Sequence, residues 1–165
     1  MPIWLDRAMF YIGEKEIKGL THNPKIISWW EKIKAPFRDD ETSWCSGFCG
    51  GVLEECNIKS SRSASARSYL KWGQEIDAAV GAIVVLWRGN KDGWQGHVGF
   101  LVGRDPWGNL LILGGNQGDE VNIKPFPVHR VLSYRWPDGY IAPQPQGLAR
   151  VPILKDYGKI STNEA

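Results

Sequence analysis

Cys45 and His97 are the pair in this chain whose types and settings could do covalent chemistry. Cys45 lies in the run Thr42-Ser43-Trp44-Cys45-Ser46-Gly47-Phe48, where a loop turns into a predicted helix, and His97 lies in Gly96-His97-Val98-Gly99-Phe100 on a predicted strand. The thiolate is the attacking form of cysteine, and the unpaired N–H groups and positive dipole end of a helix start favour that anion. An adjacent imidazole can store the proton and return it to a leaving amine. The two residues therefore read as a nucleophile and its base.

Cys45 also fits a packing role. Cys45, Phe48, Cys49, Val52, Leu53 and Cys56 recur at the spacing of one apolar helical face, where buried thiols pack well. Cys49 and Cys56 read as core on that ground. With Thr42 or Ser43 as the helix cap, Cys45 alone falls in the first turn, beside amides the other two cannot reach. Gly47, Gly50 and Gly51 together cost this helix about 2–3 kcal/mol relative to alanine, which implies that something approaches it closely. The strand carrying His97 is the expected neighbour, with Gly99 leaving room for the contact.

The strands downstream strengthen the chemical reading. Leu101-Val102-Gly103 and Leu110-Leu111-Ile112 flank the turn-rich Arg104-Asp105-Pro106-Trp107-Gly108-Asn109, the pattern of an antiparallel hairpin. Pairing Gly103 with Leu110 puts His97 opposite Asn116, on one face of the sheet. An Asn carbonyl beside an imidazole can orient the ring so that its other nitrogen faces the thiol. A satisfied His/Asn pair at a sheet edge is the structural alternative.

Three segments, Trp44-Cys45-Ser46-Gly47-Phe48, Gly96-His97-Val98-Gly99-Phe100 and Leu113-Gly114-Gly115-Asn116-Gln117, resemble the signature segments of the CHAP family, cysteine, histidine-dependent amidohydrolases/peptidases of the papain-like clan related to NlpC-like peptidases. Glu16-Ile17-Lys18-Gly19 and Asn23-Pro24-Lys25-Ile26 extend the likeness to residues 1–140, toward small bacterial and phage cell-wall hydrolases. The resemblance implies that Cys45 is the nucleophile, His97 the base and Asn116 the orienting residue. It also implies peptidoglycan stem peptides as substrate. Two positions depart from the family pattern: Gly114 stands where many members carry a Glu, and Val80-Gly81-Ala82 replaces a frequent Pro-Gly-Asp.

The chain must supply elements that hold these residues. Helices are predicted near 2–13, 24–33, 43–56 and 64–72, then strands near 81–87, 97–103, 110–115, 119–124 and 130–136. Helices followed by an antiparallel sheet make an α+β, papain-like fold, with the nucleophile at a helix N-terminus packed on the sheet. Residues 1–142 read as a single catalytic domain. Beyond Tyr140 the Pro- and Gln-rich composition predicts a tail over 143–165, mobile in the absence of packing.

With 165 residues and 42% hydrophobic content the chain can bury a full core. A formal charge of +2 without a dense Lys/Arg stripe argues against nucleic-acid binding. Three cysteines without CxxC or clustered histidines predict neither a zinc site nor a disulfide framework, and no cofactor is expected. The start of the chain does not read as a signal peptide and no apolar run is long enough to span a membrane, so synthesis in the cytoplasm and action at the wall after release or delivery are expected, with a delivery or immunity protein as partner.

Among nine tryptophans, Trp44, Trp94 and Trp107 are the candidates for binding substrate, the others reading as core. Asp39, Asp40 and Glu41 form an acidic cluster beside the cysteine loop, and Asp40 is the candidate there for a cationic group of the peptide; a solvated loop is the alternative. Two further readings of the whole chain stay open: an acyltransferase of transglutaminase type using the same residues, and a non-catalytic wall-binding module.

Overall fold

The computed structural model of the chain describes residues 1–145, 147–155, 160–161 and 163. Three α-helices come first: α1 (Ile3–Phe10), α2 (Pro24–Lys32) and α3 (Cys45–Glu55). A 3-10 helix over Ala66–Lys71 takes the place of the fourth predicted α-helix. Six antiparallel strands follow, β1 (Gln74–Ile76), β2 (Ile83–Trp87), β3 (Gly96–Arg104), β4 (Leu110–Gly114), β5 (Asn122–Phe126) and β6 (Val131–Trp136), in the order β1-β6-β2-β3-β4-β5. The class is α+β.

The connection from β5 to β6 dictates the shape of the sheet. In a flat sheet these strands, with β4, β3 and β2 between them, would lie about 19 Å apart. Residues 127–130 reach at most about 17 Å even when fully extended, and Val128–Arg130 are coiled into a 3-10 turn. The sheet must therefore curl, bringing the end of β5 back toward β2. Arg130 donates from Nε to the carbonyl of Trp87 at 3.0 Å, and the Trp87 indole N–H donates to the His129 carbonyl at 3.3 Å, closing that approach.

Helix α3 is buried along Cys45–Leu53 because its glycines admit α2, not the sheet. A Cβ on Gly51 would overlap the Trp29 indole, one on Gly50 would meet Ile33 Cγ2 at 2.5 Å, and one on Gly47 would press on Trp30 at 3.1 Å. The expected close partner, the His97 strand, is thus replaced by a neighbouring helix. Gly99 faces away from α3, against Ile112 and the Leu113 carbonyl. Trp29, Trp30, Trp44 and Phe48 fill the seam between α2, α3 and the sheet, with Phe48 meeting Phe100 edge to face.

The described residues of the predicted tail are docked in part. Arg104 donates its backbone N–H to Pro152 at 2.9 Å and its guanidinium to the carbonyls of Val151 and Ala149, while Leu154 N–H returns to Arg104. A parallel bridge joins Arg104 to Ile153, and Val151 is buried. Residues 149–154 therefore pack on the far end of β3. No helix among the described residues is long and apolar enough to cross a membrane.

Candidate active site

Cys45 is the first residue of α3, but the cap is Trp44, which makes no side-chain capping bond. The expected caps are used elsewhere. Thr42 donates its hydroxyl and backbone N–H to Asp39, and Ser43 Oγ accepts from Asn116 Nδ2 at 3.2 Å. The thiol is buried. Leu101 N–H donates to Ala82 on the β2 side, so by alternation the N–H groups of Phe100 and Val98 point toward β4. Strand β4 stops at Gly114, leaving Val98 beyond the last ladder pair. The Val98 N–H is among the groups that favour the Cys45 thiolate.

The body of α3 and the side chain of His97 lie on opposite faces of β3. Phe48 packs on Phe100, and residues at odd positions alternate to the other face. His97 is fully buried there, its ring stacked on Phe126 at 5.2 Å with 15° between planes. The curl of the sheet makes this contact possible, since Phe126 pairs with Leu110 far along β4. Val98, whose backbone favours the Cys45 thiolate, is the residue next to His97 on β3.

His97 Nε2 lies 2.9 Å from Gln117 Oε1. Asn116, expected in this place, has left the strand with φ 59° and turns its amide to Ser43. The register used to place it holds in part: Phe100 pairs with Leu113 and Leu101 with Ile112, but a bulge shifts Gly103 to Leu111, and the ladder ends before residue 116. Gln117 reaches back over Gly114, where a Cβ would overlap Gln117 Oε1 and lie 3.2 Å from His97 Nε2. The glycine that stands in place of a family glutamate is therefore the space through which Gln117 meets the imidazole. Gly114-Gly115 before Asn116 and Gly118 after Gln117 were the available signs that the strand stops and turns here.

The Gln117 amide has a determined direction. Its Nε2 donates to the carbonyls of Ile112 at 3.2 Å and Asn122 at 2.9 Å and to Asn122 Oδ1 at 2.9 Å. Backbone carbonyls only accept, so the oxygen end must face His97. A neutral His97 then carries its proton on Nε2, and its lone pair is on Nδ1. Asn122 is held in turn by donating Nδ2 to Gln117 O and Glu120 Oε1, at 2.9 and 2.8 Å.

Burial pushes the Cys45 thiol above its ordinary value. The N–H groups of Val98 and Ser46, the positive charge of Arg88 and the Ser43 hydroxyl oppose that rise without cancelling it. The helix start alone is thus not enough to favour a resting thiolate. Arg88, between β2 and β3, was not singled out from the sequence. Cys49, one turn along the same helix, is fully buried and pushed up further.

Two of the four expected substrate contacts are structural. Trp44 is fully buried, stacked on Trp29, with its indole N–H donated to Glu16 at 2.8 Å. Asp40 is also fully buried, accepting from the N–H groups of Ile17 and Asn23, both at 2.8 Å, and bonded to His22 Nδ1 at 3.0 Å. It ties down the 17–23 loop, so neither the cationic-substrate role nor a solvated loop describes it. Trp107 is 81% exposed, but on the β3–β4 turn, roughly 24 Å along β3 from His97. Trp94 is 80% exposed on the segment leading directly into Gly96-His97. Arg67 clamps that segment by donating to the carbonyls of Asn90, Lys91 and Gln95 at 2.8–2.9 Å. Among the described residues no cluster of His, Cys, Asp and Glu is placed to hold a metal ion.

A thiol at a helix start together with an imidazole whose proton-bearing nitrogen is fixed on a neighbouring strand are groups suited to acyl transfer through a thioester. Comparisons with family models, with curated proteins and with solved structures found no match for this chain.

Proposed function

We propose that the chain is a CHAP-like cysteine hydrolase of papain-like architecture that cuts amide bonds of peptidoglycan peptides. The observation that carries this reading is the polarised His97: Gln117 holds the proton on Nε2, so Nδ1 is the base. Cys45 Sγ attacks the amide carbonyl carbon while its proton passes to Nδ1. The oxyanion is received by first-turn N–H groups of α3, that of Cys45 among them. Nδ1 then gives the proton to the leaving amine, the C–N bond breaks, and a thioester remains on Cys45. Water attacks the thioester with Nδ1 again taking the proton, releasing the carboxylic acid and restoring the thiol.

Because burial disfavours the free thiolate, proton transfer to Nδ1 accompanies attack instead of preceding it. Trp94, exposed next to the His97 strand, is the side chain available to lie against a sugar or peptide face. The wall lies outside the cytoplasmic membrane, so the reading includes a delivery route or a delivery partner.

Digestion of purified peptidoglycan in ¹⁸O-labelled water, with the fragments identified by mass, tests this directly. Hydrolysis places one ¹⁸O in each new carboxyl group and names the bond cut. Fragments joined to an amine, without label, would indicate acyl transfer in place of hydrolysis, and an unchanged fragment profile would count against both.

A further inference from the structure

The peptide unit that joins Gln117 to Gly118 has a partner at each of its polar ends. The Gln117 carbonyl accepts from Asn122 Nδ2 at 2.9 Å, and the Gly118 N–H donates to the carbonyl of Asn163 at 2.6 Å. Turning that plane would break both bonds at once, and a backbone group left without a partner is costly. The plane sets the path of the chain at Gln117, whose side chain holds His97 Nε2 at 2.9 Å. Both neighbours of Gln117 have left-handed backbones, Asn116 with φ 59° and Gly118 with φ 66°, and β4 has already ended at Gly114, so no strand ladder holds the turn.

The end of the chain makes a second contact close by. The Ser161 N–H donates to the carbonyl of Pro125 at 2.9 Å. In a strand the N–H and C=O of one residue share an edge, and a proline, lacking the N–H, belongs on the edge away from the ladder. Strand β5 is the last in the sheet, so at Pro125 its outer edge offers an acceptor alone, which Ser161 fills. The next residue, Phe126, is the ring stacked on His97. Ser161 and Asn163 therefore bear on both supports of the imidazole, the strand of Phe126 and the turn of Gln117.

We propose that Ser161 and Asn163 form a strap whose seating on β5 and Gly118 keeps the Gln117 amide on His97, making the set of the imidazole conditional on the docking of the end of the chain. They are positioning residues, acting through their backbone groups on the turn and the strand that hold the ring. Regulation of the site then has a physical handle: whatever draws this strap off β5 releases Gln117, and with it the fixed proton on Nε2. The functional meaning rests on the reading of His97 as the base, but the hold on the imidazole is measurable with no substrate present.

The test is hydrogen exchange of the His97 Nε2 proton and of the Gly118 amide, followed by NMR in the full-length protein, with the buried amides of β2 as reference. Ser161→Pro removes the strap N–H and should accelerate both exchanges by about tenfold or more, the scale of one hydrogen bond lost, while the β2 amides keep their rates. Ser161→Ala, which keeps the N–H, should exchange as the unaltered chain does. A Ser161→Pro protein whose Nε2 proton exchanges at the unaltered rate would overturn the proposal, whether or not the Gly118 amide is freed. So would equal acceleration at β2, which reports general loosening of the fold and not release of the turn. Acceleration confined to Gly118 and His97, in a chain that leaves wall peptides uncut, would count against the hydrolase reading alone.

Discussion

The carboxamide oxygen of Gln117 sits 2.9 Å from Nε2 of His97, while the nitrogen of the same amide is fixed by two backbone carbonyls and the side chain of Asn122. That single amide decides which imidazole nitrogen is basic, and its loss is the most specific perturbation available. Gln117→Ala should lower kcat by about 10–100-fold with a smaller change in KM, less than the loss from His97→Ala, since the base itself contributes about 10²–10⁴. Steady-state kinetics of both variants on a soluble wall peptide checks the order. Equal activity in Gln117→Ala and the unaltered chain would separate this amide from the chemistry.

Gly51 and Gly50 are predicted to resist alanine although alanine favours helices. The intrinsic gain is about 1 kcal/mol. A methyl on Gly51 would overlap the Trp29 ring, and one on Gly50 would meet Ile33 at 2.5 Å, so overpacking should win by a net of about 1–2 kcal/mol in each case. Urea denaturation at constant m-value is the measurement. Stabilisation of either variant would mean that α2 yields readily.

Cys49 and Cys56 should differ in stability cost. Cys49 is fully buried beside the α3 core, and Cys49→Ala should cost about 1–2 kcal/mol; Cys56 is partly exposed at the helix end, and Cys56→Ala should cost less than about 1 kcal/mol. Neither should change kcat. Denaturation midpoints paired with kinetics separate the two effects.

Glu55 ties three helices together and should give the fold an acid limb. Burial pushes its carboxyl up, but the Tyr11 hydroxyl, the Arg7 guanidinium and the Lys25 charge outweigh this and hold it below the ordinary carboxylate value. Because the folded value is depressed, the stability it contributes is present above its unfolded value of about 4.3 and is lost as pH falls through the folded one. Glu55→Gln should therefore melt below the unaltered chain at pH 7, with the gap narrowing as pH drops under about 4. A constant gap from pH 7 to pH 3 would contradict this.

Periodicity located most elements because their apolar faces are continuous. Helix α2 and strands β2, β3 and β4 fall within two residues of the pattern, since Ile83–Leu86 and Val98–Val102 are bounded by glycine and turn residues. Strand β1 was not legible: Gln74-Glu75-Ile76 is a three-residue edge strand whose pairing with β6 is set by backbone contacts. Strand β5 begins three residues later than expected because Asp119–Val121 pair with Glu14–Glu16 of the N-terminal segment, a contact no local pattern reports.

The settings of Cys45 and His97 were readable because each depends on its own element. The orienting residue was not, because it depends on where β4 ends. Extending the hairpin ladder two residues past Gly114 selected Asn116, and the turn that replaces the ladder selects Gln117. Trp44 and Asp40 were misplaced for a related reason: aromatic and acidic residues near a reactive loop look alike whether they face substrate or hold the loop from inside.

The central claim is that Cys45 cleaves amide bonds of the wall, and the most direct measurement compares fragments released from purified peptidoglycan by the unaltered chain and by Cys45→Ala. The account predicts that the unaltered chain releases fragments with new amino and carboxyl ends, and that a Cys45→Ala protein with an unchanged melting profile releases none. Equal release by both proteins, or no release by either, would contradict it.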